Sequence, residues 1–329
     1  MSPRRKFVLA VGGASLATAF PSLAQQPPAK PARIGILGAT SAAGYASRWD
    51  AMRAGLRDLG YVEGRNLVIE SRWADGQLDR LPELAAELVR LRVDVIVTHG
   101  IPGTRAARQA TETIPIVMAI VTDPAAAGLV ASLARPGGNV TGSSFFAPEL
   151  AAKRLDLVRE FKPGVSQVAV LVNPDNPAFT RTMLDAMETT ATSLNVRLRR
   201  YEARRPTDFE GAFAAMAKDR VEAATVLEEA MLNAHPAAIA ALAGKHRLPS
   251  IGNRELAEAG GLIGYGVDLP ALFRRAAYLV DRILKGAKAG DLPIEQATTF
   301  ALAVNLRAAG AIGVAIPQAM LLRADQVIR

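Results

Sequence analysis

No cysteine occurs in the 329 residues, which excludes a disulfide scaffold, a thiolate metal site and a thiol nucleophile. It also removes the residue that an acylated lipoprotein needs at its processing site. Histidine is nearly as scarce. His99, His235 and His246 show no metal-ligand spacing, because the last two stand eleven positions apart rather than three to five. No G-x-S-x-G elbow lies near a His/Asp arrangement. Gly35-x-x-Gly38 follows a strand-like run, but the full G-x-G-x-x-G dinucleotide pattern is missing. Aromatic residues make up only 5% of the chain. Without a stacking-aromatic motif or a helix-turn-helix, the net charge of +8 reads as a solvated basic surface and not as a nucleic-acid interface. Beyond the N-terminus, apolar runs are short and broken by glycine, proline or charge, so no membrane-spanning helix is expected.

The N-terminus reads as a cleavable export signal over residues 1–24. Arg4-Arg5-Lys6 supplies the positive start, Phe7 to Phe20 is uncharged, and Ser22-Leu23-Ala24 fits a small-x-small cleavage site before Gln25. Arg4-Arg5-Lys6-Phe7 also approaches the twin-arginine pattern, leaving both export routes open. Residues 25–31 form an extended proline-containing linker. Cleavage leaves about 300 residues, more than one hydrophobic core supports, so two domains are expected.

From residue 33 the chain alternates strand and helix patterns. Strands are expected at Arg33–Leu37, Asn66–Trp73, Val93–Thr98 and Ile116–Ile120. Helices are expected near 45–59, 78–91, 103–113 and 126–134. Arg135-Pro136-Gly137-Gly138-Asn139-Val140-Thr141-Gly142 then breaks the series, since proline and paired glycines stop a helix. The rhythm resumes with strands at 167–172, 196–201, 223–227, 250–251 and 261–265. Helices are expected at 179–194, 207–218 and 268–285. Such alternation calls for parallel sheets covered by helices. The comparable order in the two halves points to a duplication of fold. The expected domains are lobe 1 at 32–143, lobe 2 at 144–267, and a return segment at 268–329 lying mostly on lobe 1.

Ligands of open α/β sheets bind beyond the carboxyl ends of the strands. Helix-start amides there favour anions. This rule selects Thr40 and Ser41; Thr98, His99 and Gly100; Asp123; Asn173 and Asn176; Glu228 with Glu229; Asn253; and Asp268. Ser143 and Ser144 join them at the crossover. The mixture suits a small zwitterion. Hydroxyls and helix-start amides can take a carboxylate, and Asp123, Glu228 or Asp268 an ammonium group. Phe145, Phe146, Phe179 or Tyr265 could cover an apolar side chain. No cofactor and no metal is expected.

Several separated blocks carry a family resemblance. Ala134-Arg-Pro-Gly-Gly-Asn-Val-Thr-Gly142, Lys153-Arg-Leu-Asp-Leu157 and Val168-Ala-Val-Leu-Val-Asn-Pro-Asp-Asn-Pro177 come first. Ala259-Gly-Gly-Leu262, Leu272-Phe-Arg-Arg-Ala-Ala277, Val280-Asp-Arg-Ile-Leu-Lys-Gly-Ala287, Asp291-Leu-Pro-Ile-Glu-Gln296, Ala315-Ile-Pro317 and Leu321-Leu-Arg-Ala-Asp325 follow. Together they resemble the substrate-binding protein family of ABC transporters, which includes tryptophan-binding members. The resemblance implies a type I periplasmic-binding-protein fold: two Rossmann-like α/β lobes with parallel sheets, joined by hinge strands, with the ligand cleft between them. It further implies a non-enzymatic, monomeric periplasmic protein that closes on a small molecule and serves an inner-membrane ABC permease with its ATPase. His99 stands where similar chains often carry a small residue. An exported α/β enzyme using the same cleft and a ligand-sensing receptor subunit are the competing readings.

Overall fold

The computed structural model describes residues 30–329 apart from Phe146. The expected signal at 1–24, most of the 25–31 linker and the Phe146 candidate lie outside the described residues.

The first half builds β1 (Ala32–Gly38), α1 (Ala46–Asp58), β2 (Leu67–Trp73), α2 (Leu81–Arg90), β3 (Val95–Thr98), α3 (Gly100–Ala110), β4 (Ile116–Thr122) and β5 (Val140–Phe145). The second half builds α4 (Ala147–Phe161), β6 (Gln167–Val172), α5 (Pro177–Ser193), β7 (Arg197–Glu202), α6 (Phe209–Lys218), β8 (Ala223–Val226), α7 (Ala230–Asn233), α8 (Pro236–Lys245), β9 (Ser250–Gly252), α9 (Arg254–Glu258) and β10 (Ile263–Gly266). The chain ends with α10 (Leu269–Leu284), β11 (Glu295–Gln296), β12 (Ala301–Asn305), α11 (Leu306–Ile312), α12 (Gln318–Arg323) and β13 (Gln326–Ile328).

Two sheets result, ordered β11-β5-β4-β3-β1-β2 and β13-β12-β10-β9-β8-β6-β7. The first five strands of each half take the same permutation. All pairings are parallel except that of β10 with β12. The strands β3, β5, β8 and β9 are buried along their length, as expected where helices cover both faces.

Three crossings join the sheets. The first follows β5, which runs unbroken through Phe145 and spans both sides of the expected 143/144 boundary. The second leads from β10 into α10, which packs on α1 and against β3, β4 and β5 of the first sheet. The third lies between β11 and β12. The segment 268–329 therefore divides: α10 and β11 belong with the first sheet, while β12 and β13 extend the second. The antiparallel register Ile263↔Val304 is what holds the tail there.

The helix expected at 126–134 is absent. Asp123 at φ 38° and Gly128 at φ 68° turn the backbone into left-handed conformations that an α-helix cannot contain. Instead, Ala127 N–H reaches the Asp123 carbonyl and Leu129 N–H the Pro124 carbonyl in successive turns. Gly142 is required for another reason. At φ 148°, a Cβ there would run into the Met118 carbonyl of β4. The β4–β5 register shifts just beyond, between Met118 and Val121.

Candidate functional site

A cavity opens where the carboxyl ends of the two sheets face one another. After β1, a short 3-10 turn (Ala43–Tyr45) and α1 bring Tyr45 and Arg48 to it. The β3–α3 junction contributes His99 and Gly100, and the ends of β4 and β5 contribute Ile120 and Phe145. From the second sheet come Asn176 and Phe179 after β6, and Glu228, Glu229 and Asn233 after β8. Helix α10 adds Phe273. The inner volume is about 60 Å³, where about 10–15 Å³ suffices for one water. A separate, larger pocket of about 730 Å³ is lined by Thr40, Ser41, Asp75 and Asp79 from the first lobe and by Asp175, Arg204, Arg205 and His235 from the second.

One wall is aromatic. The His99 imidazole stacks on Tyr45, with centroids 4.2 Å apart and planes 23° apart. The Phe273 ring lies 6.0 Å from that of His99 and 5.0 Å, edge-on, from that of Trp49. Burial pushes the His99 imidazole down to about 3, with the nearby Arg48 charge acting in the same direction. Burial likewise pushes the Tyr45 phenol up to about 12. Both rings are thus neutral at ordinary pH, and His99 Nε2 has no hydrogen-bond partner.

A neutral buried histidine carries a stability signature. The unfolded chain binds a proton near pH 6.5 that the folded chain refuses until about pH 3. The His99 contribution is whole above pH 6.5 and is lost as pH falls toward 3. Between pH 7 and pH 5 it should cost about 2 kcal/mol. Burial holds the Glu229 and Glu255 carboxyls above their usual range, and they act in the opposite sense. Urea melts of the parent and His99→Phe isolate the histidine, since phenylalanine keeps the stack and drops the proton. The parent should lose about 2 kcal/mol more than the variant over that interval; equal losses would contradict this account.

The charged residues are mostly committed to protein partners. Arg154, from α4, is 1% exposed. Its Nε and Nη2 donate to the Tyr265 carbonyl, Nη1 to the Val226 carbonyl, and Nη2 also to Glu228 Oε1 at 2.7 Å. Glu228 Oε2 has no partner, although that side chain is only 4% exposed. Glu229 caps α7: its Oε2 accepts from Met231 N–H at 2.9 Å and from Asn173 Nδ2 at 3.1 Å.

Arg48 reaches across from α1. Its Nη2 donates to the Asn233 carbonyl at 3.2 Å and to Glu255 Oε1 at 3.3 Å, while Nη1 donates to the Gly44 carbonyl. Its guanidinium lies 4.3 Å from the Tyr45 ring centroid. Asn233 and Glu255 follow strands of the second sheet, so this side chain ties the lobes together.

Five of the fourteen loop residues selected from sequence line the inner cavity: His99, Gly100, Asn176, Glu228 and Glu229. Thr40 and Ser41 line the separate, larger pocket. Asn173 and Asn253 stand one step back and hold lining residues, since Asn253 Nδ2 donates to Asn233 Oδ1 at 3.0 Å. The others do not line it. The Thr98 hydroxyl donates to the Leu37 carbonyl. Asp123 and Asp268 accept from backbone N–H groups three residues on, at Ala126 and Ala271, and Asp268 also pairs with Arg254. Ser143 and Ser144 are buried inside β5 with unpartnered hydroxyls, and β5 offers the cavity Phe145 instead. Tyr45, Arg48, Asn233 and Phe273 were not selected, because they sit on helix faces that read as ordinary amphipathic surface. The proximity of Tyr45 to the β1 loop is the only local signal that could have flagged it.

Residues 33–328 match the family model described as ABC transporter substrate binding protein. The chain belongs to that family. A similar relative is a tyrosine-binding protein of Clostridioides difficile, 27% identical over 251 residues, spanning 76% of this chain and 72% of that one. A conserved domain protein from Vibrio cholerae is 28% identical in sequence and superposes with a TM-score of 0.83, covering 91% of this chain and all of that one. An ABC domain from Streptococcus pneumonia, solved in complex with L-Trp, is 24% identical with a TM-score of 0.81 over 91% of this chain and all of that one. This agreement identifies the fold as the type I periplasmic-binding-protein kind. Family members are substrate-binding proteins and not enzymes. Among the described residues, no helix is long and apolar enough to cross a membrane, and no group of three or more His, Asp or Glu is arranged to hold a metal ion.

Proposed function

We propose that this protein is the periplasmic solute-binding component of an ABC importer, and that it closes its two lobes around an amino acid with an apolar or aromatic side chain. Export through the N-terminal signal, action as a monomer, and delivery to an inner-membrane permease with its ATPase complete the reading. The observation that carries it is the composition of the interlobe cavity: rings from both lobes beside paired charges, all buried. His99, Gly100, Asn176, Glu228 and Phe179 are the ligand-contacting residues from the sequence set, joined by Tyr45 and Phe273. The narrow inner volume supports a cycle in which the lobes part to admit ligand, because an aromatic side chain needs more room than a few waters. Binding to both lobes then shifts the equilibrium toward the closed form.

A thermal-shift panel of tyrosine, tryptophan, phenylalanine, leucine, ribose and inositol tests this reading. An amino acid should raise the melting temperature in a concentration-dependent way. Small-angle scattering should show the radius of gyration falling on saturation, with the ligand recovered chemically unchanged. A sugar as the sole binder, or conversion of the ligand, would refute it.

A further inference from the structure

We infer that the larger interlobe pocket carries an ionic latch: Asp75 and Asp79 on the first lobe face Arg204 and Arg205 on the second, and their attraction favours the closed form whether or not ligand is bound. The inference rests on the lobe-closure reading and adds to it a closing element that touches no ligand.

Topology sets the lever. The crossings between the sheets involve β5, β10, β11 and β12, which lie toward one end of each sheet. The strands β2 and β7 are the outer strands at the opposite ends. The loop after β2 carries Asp75 and Asp79, and the loop after β7 carries Arg204 and Arg205. All four residues line one pocket of about 730 Å³, so the two loops face each other across the gap between the lobes. This far from the crossings, a small rotation of the lobes makes a large change in the separation of the charges.

Each loop has a pinned backbone and loosely held side chains. On the first lobe, Gly76 N–H donates to the Ala39 carbonyl at 2.9 Å and Arg80 N–H to the Gln77 carbonyl at 3.0 Å. Asp75, at φ 52°, sits in the left-handed region that aspartate tolerates better than most residues. Its carboxylate pairs with Arg80 only at 3.8 Å, and Asp79 has no ion-pair partner among the described residues. On the second lobe, Asp208 Oδ2 accepts from the Arg204 and Arg205 N–H groups at 2.9 and 3.1 Å. The Arg205 side chain is 75% exposed and pairs with Asp208 only at 3.9 Å. Arg204 lies 3.3 Å from Asp175 and 3.6 Å from Glu202. Solvated pairs of this kind contribute little, so exchanging them for partners across the gap costs little.

The pocket's charges are complementary. Two acids line its first-lobe side. On the second-lobe side, Arg204 and Arg205 outweigh Asp175. Burial holds the His235 imidazole below its ordinary range, so it adds no charge at neutral pH. Among the described residues no ion pair spans the pocket, which leaves the facing charges free to attract across it over about 10 Å at 0.1 M salt. That attraction grows as the lobes approach and so shifts the population toward the closed form.

The lack of cysteine makes the test direct, because two introduced cysteines are then the only sites for spin labels. Labels at Gln77→Cys and Ala214→Cys, both exposed and uncharged positions, report the separation of the outer edges in the ligand-free protein. Double electron–electron resonance should show a closed population that falls about two- to fivefold when added salt shortens the screening length from about 30 Å to about 3 Å. Arg205→Glu and Asp79→Arg should each lower that population at low salt and remove most of its salt response. Both positions are exposed, so these variants should fold as the parent does. The double variant exchanges the charges between the lobes and should bring the closed population back to within about twofold of the parent. A closed population indifferent to salt and to both reversals overturns the latch, as does a double variant no closer to the parent than the singles. No ligand enters this measurement, so such a failure leaves the amino-acid reading standing. A radius of gyration that stays fixed when a binding ligand saturates the protein would remove closure itself, and the latch with it.

Discussion

Replacing Arg154 with methionine is expected to destabilise the protein by about 3–5 kcal/mol. The side chain is buried and bridges α4 to the ends of β8 and β10 through the Val226 and Tyr265 carbonyls. Its loss leaves two carbonyls short of donors and strands the Glu228 carboxylate with no cation beside it. Methionine fills most of the volume, so the cost is electrostatic and not that of a cavity. The double variant Arg154→Met/Glu228→Gln should recover a large part of the loss, because the unpaired charge then disappears. Urea unfolding of both single variants and the double gives the coupling energy. Strict additivity would show that the pair does not act as a unit. This effect lies on the link between packing and stability, and it should appear with no ligand present.

Replacing Glu255 with glutamine is expected to weaken the binding of every ligand by the same factor, about ten- to hundredfold. Glu255 does not line the inner cavity, so it has no means of ranking one ligand against another. It pairs with Arg48 across the lobes at 3.3 Å, with side-chain exposures of 15% and 3%. On the closure reading, losing that pair favours the open form, and a ligand must then supply the missing closing energy itself. Scattering from the ligand-free variant should give a larger radius of gyration than the parent. Arg48→Met should do the same but also disturb ligand ranking, because Arg48 faces the cavity. Unchanged affinity in Glu255→Gln, with an unchanged ligand-free radius, would remove the pair from the closing mechanism. Burial holds the Glu255 carboxyl above its usual range, with Arg48 pulling the other way. The coupling should therefore weaken in acid as that carboxyl takes up its proton.

Much of the scaffold was legible in the chain. Each strand-helix unit announces itself through its own periodicity and its own punctuation. Pro177, Pro236 and Pro270 stand in the first turns of α5, α8 and α10, where a missing N–H costs nothing. Asn253 and Asp268 accept from the amides three residues on, at Leu256 and Ala271, and so mark helix starts. Those signals are local, and they locate the loops beyond the strand ends. For the same reason they overcount the site. Asp123 and Asp268 look like ligand groups in sequence, yet each has an oxygen taken by its own helix or turn. The helix expected at 126–134 failed on another local point: its apolar spacing is helical, but the positive φ at Asp123 and Gly128 is not a feature that composition reveals.

By itself, then, the sequence determined the fold class, the doubling of the β-α rhythm, and the rule that ligand chemistry sits at the carboxyl ends of the strands. Periodicity and capping are properties of a few consecutive residues, and so they survive in a linear reading. Only the tertiary structure decided which loops meet. Arg48 and Glu255 are 207 positions apart, and Arg154 and Glu228 are 74 apart. Tyr45, His99 and Phe273 form one wall only because α10 returns to pack on α1. A side chain's charge state and unused valences depend on neighbours brought in by the crossings between the sheets. No local pattern encodes those neighbours, which is why the cavity's cross-lobe tie became visible only in three dimensions.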